Sequence, residues 1–211
     1  MSIVTYNNRS IANISAIPGA AKSLTLIKTL TASSSATLSF VHGSSDVVLD
    51  STYPIYLFKF INIHPSASGE QLGFQGNAAG GSGYNETITS SVFQSFHRED
   101  DSSTALGYRT GDDQAQGTGF QIITNVIGDD ADQSCSGTLH LFNPSSTTFV
   151  KHFMSTIQVY RSTGSSAEAS SVQHFSAGYF NTTSAIDEIQ FKMGSGDIDA
   201  GTIKLYGLKD S

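Results

Sequence analysis

The stretch YPIYLFKFINI, residues 53–63, limits what this chain can fold into more than any other. Two-residue alternation puts Tyr56, Phe58 and Phe60 on one face and Ile55, Leu57, Ile61 and Ile63 on the other, with Lys59 the only charge. Both faces are apolar. A sheet in a two-layer sandwich normally wets its outer face, so a strand apolar on both sides needs a further layer of its own chain or of another subunit. Ile55, Leu57, Ile61 and Ile63 are therefore the candidate oligomer-interface residues.

From Ser23 onward the sequence continues as strand-length apolar runs divided by Gly, Ser, Asn and Asp clusters, the pattern of an all-β sandwich or barrel. Strands are expected near 24–31, 36–42, 55–63, 70–75, 87–96, 104–109, 118–127, 137–142, 148–160, 172–180, 186–193 and 202–208. Ser and Thr make up about a quarter of the 211 residues, and charged residues only 14%. Hydroxyl groups thus solvate much of the surface, and Thr favours strands while Ser and Gly favour turns. The segment STTFVKHFMSTIQVY also fits a helical stripe through Phe149, Phe153 and Ile157. Its β-branched residues and the preceding turn FNPSS favour a strand with Phe149, Phe153, Ile157 and Val159 on one face. Residues 1–22 lack a sustained period and read as an N-terminal arm ending at the turn IPGAAK, and 23–211 reads as one β-sandwich domain.

A net charge of -7, with 11 scattered basic residues, argues against nucleic-acid binding, which depends on clustered Lys and Arg. The opening MSIVTYNNRSIANIS has neither a basic start nor an apolar core, so neither secretion nor membrane insertion is expected. One cysteine, Cys135, excludes an intrachain disulfide and reads as inert.

A search for chemistry yields no catalytic, cofactor or metal residues. In DDADQS, the glycine and glutamate that a calcium loop needs are replaced by Cys135 and Leu141, counting from Asp130. The pairs Asp100–Asp101 and Asp112–Asp113, and the group Asp129, Asp130 and Asp132, read as solvated turn aspartates. His42, His64, His97, His140, His152 and His174 show no zinc spacing, and no G-x-S-x-G elbow is present. GNAAGGSGYN lacks the lysine of a phosphate loop. A glycosidase pair of carboxylates is disfavoured because the aspartates sit in turns and the chain has no Trp. The end of the chain reads as a closing β-hairpin, in which Ile189, Phe191 and Met193 alternate inward, GSGDIDAG turns, and Ile203 and Leu205 alternate back. Asp187 and Glu188 then fall at the strand entry, and Asp197 and Asp199 in the loop.

AIDEIQF and SGDIDAGTIKLYGL, together with YLFKFINIHPS, LGFQGNAAGGSGYNETIT, QAQGTGFQ and SGTLHLFNPSSTTFVKHF, carry a resemblance over residues 53–208. The chain is similar to virion structural proteins of tailed bacteriophages of aquatic bacteria. The resemblance implies a β-sandwich or jelly-roll-like subunit of the particle, without an enzymatic site to transfer. Such modules serve as capsid decoration or as tail and fibre components. The expected partners are further copies of the chain, as a trimer by analogy with fibres and decorations, and other virion proteins. A host-surface glycan is the partner under the alternative function, receptor recognition.

Overall fold

The computed structural model describes residues 24–162 and 169–209, so the arm assigned to residues 1–22 lies outside the described residues. Among the described residues there are thirteen strands and no helix. They are β1 (Leu24–Thr31), β2 (Leu38–Val41), β3 (Ile55–Pro65), β4 (Leu72–Ala78), β5 (Ile88–Arg98), β6 (Thr104–Tyr108), β7 (Ala115–Gly117), β8 (Gln121–Ile122), β9 (Cys135–Phe142), β10 (Lys151–Arg161), β11 (Ser170–Phe180), β12 (Ile186–Met193) and β13 (Ile198–Leu208). The larger sheet runs β1-β13-β3-β9-β10-β11-β5-β6, with β7 also on β5, and the smaller runs β2-β12-β4-β8. All pairings are antiparallel, and the two sheets face one another as an all-β sandwich.

The alternation that marks these strands in sequence also builds the core. Phe58 and Phe60 from the larger sheet meet Phe40, Phe74 and Phe191 from the smaller, and Phe153 and Phe180 close the far side. Most of these rings meet edge to face, from 5.0 Å between Phe74 and Phe153 to 6.2 Å between Phe40 and Phe191, the geometry that aromatic quadrupoles favour. Segment 151–161 is a strand with Phe153, Ile157 and Val159 inward, which resolves the helical alternative. Phe149 does not join that face. It lies exposed in a turn, where its amide and that of Thr148 donate to Ser146 Oγ.

Three further expectations are corrected. Ile63 does not share the outer face of β3. Asn62 adopts a φ of +50°, a bulge shifts the register between Phe60 and Ile63, and Ile63 turns into the core. The closing hairpin is a crossover. β12 pairs with β2 and β4, β13 pairs with β1 and β3, and residues 194–197 pass between the sheets. Ile189 and Phe191 thus face Ile203 and Leu205 across the core instead of lying beside them. Finally, most of 118–127 is not strand. Side chains there replace ladder bonds: Thr124 Oγ1 accepts from Leu72 N at 2.8 Å, and Gln121 Nε2 donates to Asp112 O at 2.9 Å.

Candidate interaction surfaces

The outer face of the larger sheet has no second layer over it among the described residues. Ile61 is exposed and Ile55 half-buried, whereas Leu57 is buried between Tyr206 and His140 in register. Of the four interface candidates, the structure places Ile55, Leu57 and Ile61 on this face and removes Ile63 from it. Lys59 lies 5.4 Å from the Tyr206 ring, an exposed cation–π contact.

Further along the same face, sequence reading missed a wider feature. Phe142, His152, Met154 and Tyr179, with Thr89 and Ser91, line an open groove of about 550 Å³. A second groove of about 530 Å³ is more polar, bordered by Ser95, His97, Thr104, Leu106, Gln158 and Gln173. Between them Phe93 stacks on Phe175, with centroids 4.8 Å apart and planes 14° from parallel. These side chains come from β5, β6, β9, β10 and β11, so the pairing order that assembles the surface was not readable from any one strand.

Aspartates expected at the surface divide. Asp129, Asp130 and Asp132 are turn residues, and Asp130 Oδ2 accepts from Gln133 Nε2 at 2.9 Å. Asp197 and Asp199 brace the crossover: Asp197 N donates to Ser66 Oγ at 2.8 Å, and Asp199 Oδ1 accepts from Ser34 Oγ at 2.6 Å. Glu188 Oε2 accepts from Asn77 Nδ2 at 2.8 Å, while burial and the neighbouring Glu188 push the Asp187 carboxyl up.

Asp112 is the exception, because it is buried. Its carboxylate accepts from Gln71 Nε2 at 3.2 Å and Arg109 Nε at 3.1 Å, with His174 Nε2 at 3.4 Å. Burial opposes ionisation here, but the bonds from His174, Gln71 and Arg109 hold the carboxyl below its ordinary range. His174 is fully buried and its Nδ1 has no hydrogen-bond partner among the described residues. A buried Asp–His pair suggests acid–base chemistry, but both residues of this one are buried, and the hydroxyls of Ser155 and Ser176 bond each other at 2.6 Å. The pair acts as a strut joining the 109–125 segment to β11. Cys135 is buried among apolar side chains, which pushes its thiol up to about 12. No group of three or more His, Cys, Asp or Glu among the described residues is placed to hold a metal ion.

No protein-family model matches the chain, and neither a curated protein nor a solved structure is significantly similar to it.

Proposed function

We propose that this chain is a non-enzymatic structural subunit of a bacteriophage virion, present in many copies on the particle surface as capsid decoration or as a tail or fibre component. The observation that carries the reading is the uncovered outer face of the larger sheet, where Ile61, Phe93, Leu106 and Met154 are exposed together with the open strand β6. A face this apolar on a single chain fits contact with neighbouring subunits. The resemblance of YLFKFINIHPS and SGDIDAGTIKLYGL to virion proteins of aquatic phages supplies the setting, and the alternation of β1 to β5 between the two sheets suits a jelly-roll-like subunit. Immunogold labelling of intact particles is the test: many grains per particle are expected, and labelling only after particles are disrupted contradicts a surface position.

The two grooves favour a second reading, recognition of a host-surface glycan. Tyr179, His152 and Phe93 offer ring faces, and Gln158, Gln173 and Ser91 offer uncharged hydrogen-bonding groups on the same surface. A neutral oligosaccharide suits such a lining better than an anionic one.

A further inference from the structure

One register row crosses the outer face of the larger sheet from edge to edge, and its two halves differ in chemistry. On β1, β13, β3 and β9 it holds Thr29, Lys204, Lys59 and Thr138. On β10, β11, β5 and β6 it holds Thr156, Phe175, Phe93 and Tyr108. Lys204 and Lys59 stand directly opposite each other, a like-charge cross-strand pair that costs stability. The adjoining row, Leu26, Tyr206, Leu57, His140, Met154 and Ala177, is mostly apolar. Neither row contains an Asp or Glu, although the chain has 18. Asp113 touches the first row only at its end, where it accepts from Tyr108 Oη at 2.7 Å. The lysine pair therefore has no carboxylate in either row to neutralise it.

We propose that a second copy of this chain covers this face, its larger sheet laid on the first about a two-fold axis that runs parallel to the strands between β9 and β10. Charge selects the axis. A two-fold running across the strands keeps the strand order, and so brings the lysine pairs of the two copies to the same strands. A two-fold along the strands reverses the order. β13 and β3 are second and third from one edge, and β5 and β11 are second and third from the other. Reversal therefore sets Lys204 against Phe93, Lys59 against Phe175 and Thr138 against Thr156, each contact made twice as an isologous interface requires. An ammonium over a ring face is attracted, and more strongly once water is excluded. In the adjoining row Leu57 meets Ala177, large against small, and His140 meets the flexible Met154. Seven strand spacings by the six residue steps from Thr202 to Leu208 give a face of about 34 by 20 Å, close to the roughly 800 Å² per partner of a stable interface. Residues 1–22 match the face less well, because their only aromatic residue is Tyr6, and Arg9 and Lys22, with no Asp or Glu, would add cations beside the lysine pair. The pairing names the neighbour in the subunit contact proposed above and rests on that reading. It is measured on the purified chain, so its failure is distinct from any result on particles.

Sedimentation of the purified full-length chain tests the pairing, and wild type should sediment as a dimer. Phe93→Lys, at a side chain 45% exposed, sets a cation against Lys204 of the second copy. It should weaken the dimer at least about tenfold and leave the far-ultraviolet circular dichroism spectrum unchanged. Phe93→Lys/Lys204→Glu places opposite charges at the same contact and should restore the dimer. Five strand spacings, about 24 Å, separate the two positions within one copy, so the rescue reports a contact between copies. A monomeric or trimeric wild type overturns the proposal, as does a dimer that Phe93→Lys leaves intact. Loss of the dimer that the paired substitution fails to restore overturns it too, because a face covered by residues 1–22 or by another protein does not couple positions 93 and 204.

Discussion

A single buried carboxylate shows how the sandwich is held where strands give out. Asp112 ties Arg109 and Gln71 to His174, fixing a segment with little ladder of its own. Asp112→Asn should cost about 3 kcal/mol at neutral pH, the scale for losing charged hydrogen bonds at a buried site. The pH dependence has a definite sign. The folded pKa lies below the ordinary 3.8, so the stabilisation is full above that value and is lost as pH falls through the folded pKa. Asp187, whose carboxyl is pushed up, works in the opposite direction, favouring the fold as acid is added. Urea denaturation of wild type and variant from pH 6 to about pH 2.5 separates the two groups: the gap between the proteins should narrow below about pH 4. A constant gap would mean that Asp112 is not held ionised by its neighbours. Nothing in the sequence marked Asp112 off from Asp113, because both stand in a Gly/Asp turn and only the packing of β11 places His174 above one of them.

Among the elements, strands with strict alternation were legible: β10, β12 and β13 lie within a few residues of their expected positions. Their partners were not. Inward alternation in 186–193 and 202–208 is the same whether two strands lie side by side or face each other, and the intervening loop does not distinguish a hairpin from a crossover. The bulge in β3 was hidden for a related reason, since Asn62 looks like any solvated strand residue until Gly201 is brought beside it. Gly201 has a φ of +109°, and a Cβ there would stand 2.4 Å from Asn62 O. Gly201→Ala should therefore cost about 2–4 kcal/mol through backbone strain and overlap. Chemical denaturation reads this directly, and a loss under about 0.5 kcal/mol, typical of an exposed site, would mean that the bulge relaxes freely.

For the whole molecule, a mixed reading follows from the same physics. Fold class was legible because alternation and turn chemistry report burial within one strand. The candidate surface was only partly legible, because it is made from outward residues of five strands whose order depends on long-range pairing. Ile55, Leu57 and Ile61 were visible as an apolar outer set, while the stacked Phe93–Phe175 pair and the two grooves beside it emerge only once β5 lies next to β11. This surface, the open edge of β6 and the buried polar strut describe a sandwich with one side that carries no second layer among the described residues. Quantitative mass spectrometry of purified particles tests the central claim, membership of a virion in many copies, most directly. This chain is expected at a fixed multiple of the major particle proteins. Its absence from purified particles, with the chain found instead only in the infected-cell lysate, would contradict it.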